Sequence, residues 1–363
     1  MRDLSRRGFG TMMLAAGLAV VLPSAVGAQT AEGTAMAIDE GLFADINGME
    51  KWITIRGRDR RNPALLILHG GPGFPMSFMA PVFAAWEEHY TLVQWDQPGG
   101  GATYLKNAAR GQGPLTVARY VGDGIAVTEF VRDRLDVEKV VLMGASWGTM
   151  LGVMMVRRRP DLFAAYVGAS QAVSGPEGAR LGYRLALEAA RARGDTVAIE
   201  ALERVGPPPH ARFEDFLVRQ QYSNPPGLPT SPQEAAAGAA MAAIFSAPPP
   251  PDARYVARGL GPYDGPGVFL ETQRATFAET WSWEARGHGM DFEMPILVIQ
   301  GENDINAPVA LARAWFDEIR APAKAFEIIP GAGHNVLAFS DQVLALINRH
   351  IGPAVAAAAA PLG

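Results

Sequence analysis

From about residue 50 the chain alternates between short, nearly continuous apolar runs and longer stretches with apolar residues at helical spacing. WITIR (52–56) and ALLILH (64–69) read as neighbouring strands, YTLVQWD (90–96) as a third and KVVLMG (139–144) as a fourth. The later runs lack polar alternation, which suits strands covered by helices on both faces. Over 116–135, Val117, Tyr120, Val121, Ile125, Val127, Phe130, Val131 and Leu135 recur at mostly helical spacing. AAYVGA (164–169) continues the series. A strand–helix rhythm of this kind predicts an α/β fold: a mostly parallel, doubly wound sheet with crossover helices.

Beyond residue 170 the rhythm breaks. Residues 171–289 hold no strong strand pattern but Ala- and Arg-rich helical stretches such as 181–193, punctuated by proline clusters at 207–209, 225–232 and 248–251. The rhythm resumes with PILVIQ (295–300), a helix over 309–319, a strand over 324–329 and a helix over 340–350. The reading is one core over 29–170 and 290–353, interrupted by a helical cap over 171–289. The AVAAAAAPLG tail (354–363) reads as flexible.

Residues 1–28 do not belong to this pattern. Arg6 and Arg7 precede Phe9, and an uncharged run from Gly8 to Ala31 carries small residues around 25–28. This is the form of a twin-arginine export signal. The run is rich in Gly and Ala and broken by Pro23, a poor transmembrane helix. The expected location is periplasmic or secreted, with an export translocase as partner and membrane contact only through an uncleaved signal.

Composition narrows the chemistry. The formal net charge is −5, and the basic residues, almost all Arg, are scattered and form no face, so nothing points to nucleic acid. With no cysteine, disulfides, thiolate metal sites and a cysteine nucleophile are excluded.

GASWG (144–148) lies where a predicted strand meets a helix. A serine there must take a strained conformation that lifts its hydroxyl above the sheet, and glycines on either side let strand and helix approach. Ser146 is the expected nucleophile, with Trp147 N–H as one oxyanion donor. HGGPG (69–73) follows the ALLIL strand, and its glycines admit a ligand close to backbone N–H groups. Gly71 is the preferred second donor, ahead of Gly70. Serine needs a base and the base an orienting carboxylate. Of six histidines, His334 lies in a glycine loop after a predicted strand and is the expected base, with His288 as competitor. His69 reads as a loop anchor, His89 as the end of a surface helix, His210 as part of the cap and His350 as solvated. Asp304, after the PILVIQ strand, is the expected acid, with Glu302 as fallback. An aspartate nucleophile is disfavoured because the elbow residue is serine.

HGGPG (69–73), WDQPGGG (95–101), GASWGTMLG (144–152), GENDINAP (301–308) and GAGH (331–334) together resemble the α/β-hydrolase superfamily, and within it the proline iminopeptidase-like group. The order Ser146, Asp304, His334 is that of its triad. The resemblance implies serine hydrolysis without a metal or cofactor, a cap over the site, and release of N-terminal proline from peptides. It also implies cap glutamates that grip the substrate amine; Glu279 and Glu284, the latter in WSWE (281–284), are the candidates. Pro98 stands where family members typically carry arginine. The expected function is an aminopeptidase acting on a small-molecule or short-peptide substrate. The alternatives are a carboxylesterase, lactonase or amidase and, from a different class, a non-catalytic ligand-binding protein on the same fold.

Overall fold

The computed structural model describes residues 36–222 and 266–353, with positions 232, 235, 236, 239 and 355 besides. The expected export signal, the tail except position 355, and the proline clusters at 225–232 (position 232 aside) and 248–251 lie outside the described residues.

Eight strands form one sheet: β1 (Ile38–Ile46), β2 (Met49–Gly57), β3 (Ala64–Leu68), β4 (Thr91–Trp95), β5 (Val140–Ala145), β6 (Phe163–Ala169), β7 (Ile296–Gly301) and β8 (Lys324–Ile329). Their order is β1-β2-β4-β3-β5-β6-β7-β8. β2 runs antiparallel to both its neighbours, and β4 through β8 are parallel. This corrects one expectation. β2 and β3 are not neighbours, because β4 lies between them, with Ile53 opposite Trp95 and Leu65 opposite Leu92. The five-residue β3, buried at every position, takes a place between β4 and β5, where both edges and both faces are covered. β1 has no counterpart in the sequence reading. Its IDEGLFADI mixes acids into the strand, and among the described residues it pairs with β2 alone.

The central strands alternate strictly between two packed layers. Leu66, Leu68, Leu142, Ile296 and Val298 join the core on one face, with α2 (Val117–Leu135), α3 (Trp147–Arg158) and α8 (Val309–Glu318). Leu65, Ile67, Val141, Met143, Leu297 and Ile299 face the other layer, built from the 3₁₀ segment Ser77–Glu88 and α9 (Ser340–His350). Each buried aliphatic side chain contributes about 1.5–3 kcal/mol of transfer free energy. The 3₁₀ segment is thus no simple surface helix: Phe83 and Trp86 are buried, and only its far side, with His89, reaches solvent. Within the remaining topology, α1 (Gly101–Asn107) follows the loop after β4.

Between β6 and β7 the chain leaves the sheet for α4 (Gly175–Arg193), α5 (Thr196–Val205), α6 (Phe213–Gln221) and α7 (Pro266–Ser282). Local signals set the boundaries. Ser174 caps α4 by accepting from Glu177 N–H, and Gly194 ends it in the left-handed conformation. Asp195 caps α5 through Ala198 N–H. The neck of the excursion is stapled: Gly175 N–H donates to Trp283 O and Ala285 N–H to Val173 O, both at 2.8 Å.

Candidate active site

Ser146 stands between β5 and α3 with φ 53° and ψ −120°, a backbone conformation that is strained for any residue with a side chain. Its surroundings enforce it. A Cβ on Gly144 would come within 2.6 Å of Gly148 O, and one on Gly148 would collide with Leu68 O. The same crowding holds the residue from both ends. Ser146 N–H donates to Ala169 O at 2.9 Å, and Ser146 O accepts from Thr149 N–H at 2.8 Å. Trp147 opens α3, so its backbone N–H is among the four that a helix leaves without an internal acceptor.

Two further loops meet this elbow. The loop after β7 carries Asp304, whose side chain is buried; its Oδ1 accepts from Asn306 N–H at 2.9 Å and Ala307 N–H at 2.8 Å. The loop after β8 carries His334, whose backbone carbonyl accepts from Ser170 Oγ. The two loops touch where Gly301 lies against Gly333 O, a gap that a Cβ would fill. Ser146 Oγ donates to His334 Nε2 at 2.7 Å, and His334 Nδ1 donates to Asp304, 2.9 Å from each carboxylate oxygen. Burial on its own would depress the imidazole. The Asp304 charge and hydrogen bond outweigh it, so the His334 pKa is raised. The His334 imidazole stays reachable, with about 21% of its side chain exposed.

Three other histidines are engaged elsewhere. His69 is buried; its Nδ1–H donates to Gly70 O at 2.8 Å and its Nε2 accepts from Gln97 N–H at 3.1 Å. Burial lowers its pKa to about 4, so a neutral ring ties the HGGPG loop to the loop after β4. His288 stacks on Trp283, ring centroids 5.8 Å apart. His350 is not simply solvated as expected, because its ring bonds Glu327 at 2.7 Å within the sheet edge. Glu302 accepts from Gly331 N–H at 2.8 Å, bracing the loop below His334.

Gly71, Ser146, Trp147 and His334 line one cavity with cap residues from α4, α6 and α7. Gly71 has φ 120°, and a Cβ there would press on Gly73 N at 2.7 Å. Gly70 lies closer to the serine: its Cβ position is 3.2 Å from Ser146 Cβ. α7 crosses above these loops. Thr272 Oγ donates to Gly99 O at 2.8 Å, and Trp147 Nε1 donates to Thr280 Oγ at 3.2 Å. Asp96, in the same layer, is buried and accepts from Ala102 N–H at 2.9 Å; burial pushes its carboxyl up to about 7.

Glu279 and Glu284 are not among the residues lining the cavity. Glu279 accepts from Val117 N–H at 3.0 Å at the start of α2, and Glu284 accepts from Ser174 Oγ at 2.8 Å in the neck of the cap. Both are held by the seam between cap and core. Asn306, which sequence reasoning passed over, lines the cavity instead. Its only sequence signal is its place two residues after Asp304.

A family model described as the alpha/beta hydrolase fold matches residues 63–341. The chain belongs to the alpha/beta hydrolase fold family. With a serine at the elbow it is a serine hydrolase. It is 25% identical over 290 residues to the probable aminopeptidase YbaC of Bacillus subtilis, covering 80% of this chain and 88% of that one. It is 22% identical over 298 residues to a proline iminopeptidase of Lactobacillus delbrueckii subsp. lactis, covering 80% and 90%. Among solved structures, the fold is similar to a proline iminopeptidase-related protein from Thermus thermophilus, with a TM-score of 0.59, 21% identity, and 87% and 99% of the two chains covered. The proline iminopeptidase of Mycobacterium smegmatis gives 0.52 and 21%, covering 88% and 100%. The hydrolase is thus similar to the proline iminopeptidase-like group.

Proposed function

We propose that this hydrolase works by acyl transfer through Ser146, with His334 as base and Asp304 as its orienting acid. One observation carries the reading: the hydrogen-bonded run from Ser146 through His334 to Asp304 at 2.7 and 2.9 Å. Ser146 attacks the substrate carbonyl as His334 takes its proton, and Asp304 holds the tautomer that leaves Nε2 free to accept. The backbone N–H groups of Gly71 and Trp147 bind the oxyanion, aided by the N-terminal end of α3. His334 then protonates the leaving group, and water releases the acyl chain.

The finer reading is cleavage of a small N-terminal residue from a peptide. Its support is the similarity to proteins named as aminopeptidase and proline iminopeptidase. A second reading, hydrolysis of carboxylic esters or amides with uncharged acyl groups, is favoured by the cavity wall, which among the described residues carries no carboxylate. Side-by-side turnover of prolyl-anilide and short acyl esters separates the two. Ser146→Ala tests the common step: turnover falls on the order of 10⁴-fold or more, and labelling by a fluorophosphonate is lost. Turnover at the wild-type rate in that variant would refute the mechanism. The Arg6-Arg7 signal further supports export to the periplasm or beyond by a twin-arginine translocase, checked by N-terminal sequencing of the exported product.

A further inference from the structure

Gly175, Gly178 and Gly182 fall on one face of α4, three and four residues apart. Two of them are required by close packing. A Cβ on Gly175 would lie 2.7 Å from Thr280 O, and one on Gly182 would press into Ile305 O. These are backbone atoms that do not yield, so neither position has room for a side chain.

Gly178 has no such reason to be glycine. It lies inside the helix, without the positive φ that would call for one. Among the described residues, a Cβ there would have only Asn306 O within 4 Å, at 3.9 Å. Glycine in a helix interior is disfavoured relative to alanine, so the position gives up stability without a gain in packing. Gly178 is nonetheless buried, and it lines the cavity with Ser146 and His334. The room beside it is therefore cavity and not outer surface. Val173, just before α4, and Ala307, Pro308 and Leu311, at the entry to α8, give the same cavity apolar walls.

We propose that Gly178 is a specificity-determining residue: the side chain it lacks leaves room for a bulky apolar group of the substrate in the cavity that holds Ser146. Burying such a group stabilises the complex in proportion to the apolar area removed from water. A side chain at position 178 occupies that volume, and the bulky group then meets an overpacked wall. One methylene more or less in an apolar pocket changes discrimination by about 10–200-fold. The inference rests on the acyl-transfer reading above.

Substrate pairs that differ in bulk test it on the full chain: p-nitrophenyl acetate and phenylacetate, alanyl- and phenylalanyl-p-nitroanilide, and methyl and benzyl acetate. The first two pairs place the bulk in the acyl part, the third in the leaving group. The readout is the ratio of kcat/KM, bulky over small, for wild type, Gly178→Ala and Gly178→Leu. Wild type turns over the bulky member of at least one pair. That ratio falls about tenfold or more in Gly178→Leu and by less in Gly178→Ala. Urea unfolding reports whether each variant folds, and Gly178→Ala carries the test where Gly178→Leu does not. A glycine kept only for packing would lower the unfolding midpoint on substitution and leave the ratio in place. A ratio within about twofold of wild type in every pair, in the variants that fold, overturns the assignment. So does a Gly178→Ala chain that fails to fold, because its Cβ then found no room, and so does a wild type that labels with fluorophosphonate but turns over no bulky member. Absence of both turnover and labelling in wild type overturns the acyl-transfer reading instead.

Discussion

The floor and the roof of the cavity are built on different principles. The floor is made by backbone: a serine held at φ 53°, glycines whose missing Cβ atoms let three loops converge, and an acid anchored by two N–H groups. The roof is made by side chains on helices that have no part in the sheet. There, neutral amides, hydroxyls and aromatic rings face the same space. The floor has little freedom to change without losing its geometry, whereas the roof exchanges side chains within intact helices. Under the proposed acyl transfer, chemistry falls to the part that is constrained and selectivity to the part that is free to vary.

The sharpest way to break this contrast is to disturb the floor electrostatically while keeping its shape. Asp304→Asn retains the volume but removes the charge that holds His334 in its working tautomer. The expected fall in kcat is on the order of 10³–10⁴-fold. The sign of the pH effect follows from the causes of the raised pKa. The base acts only when neutral, so wild-type kcat/KM rises with pH through a midpoint above the ordinary histidine value of 6.5. Without the Asp304 charge only burial remains, which lowers the pKa, and the acid limb of the residual activity moves to lower pH. A limb that stays in place in a pH–rate profile would detach Asp304 from the imidazole.

Two glycines lining or bordering the same site test the contrast sterically. Gly148→Ala drives a Cβ into Leu68 O and within 2.8 Å of His69 O, both backbone atoms that do not yield. It is expected to destabilise the fold by about 3 kcal/mol. Gly178→Ala, on the cap helix α4, meets nothing closer than Asn306 O at 3.9 Å. There the better helix propensity of alanine is expected to stabilise by up to about 1 kcal/mol. Urea unfolding of the two variants checks both sign and size. Equal losses would mean that the cap packs as tightly on the site as the elbow does.

The same division decided what was legible in the amino-acid sequence. GASWG and HGGPG announce themselves because the backbone they require is local and few residues meet it. The order of Ser146, Asp304 and His334 along the chain added their relation. The insertion of β4 between β2 and β3 was not legible, since lateral strand order is a long-range choice that periodicity does not carry. β1 was hidden by acids in a strand that, among the described residues, lies at the sheet edge. His350 looked solvated because nothing in its helix hints that Glu327 on β8 lies 2.7 Å away. Asn306 was hidden for the same reason: which loop residues line the cavity is decided by what packs around them.

Glu279 gives the finest test of the division between floor and roof. A carboxylate in a cap helix beside the site reads as a grip for a substrate amine, yet its Oε2 accepts from Val117 N–H at 3.0 Å, at the first turn of α2. There it satisfies one of the donors that a helix N-terminus leaves open and places a negative charge at the positive end of the helix. Thr116 already caps that turn through Arg119 N–H, so the loss is partial. Glu279→Ala is expected to cost about 1 kcal/mol of stability and to move KM for an N-terminal prolyl substrate by less than about twofold, a shift worth under about 0.5 kcal/mol. Denaturant unfolding and initial rates on prolyl-anilide read the two quantities separately. A tenfold rise in KM with unchanged stability would return Glu279 to the roof of the cavity as an amine grip, and with it the preference for a charged N-terminus.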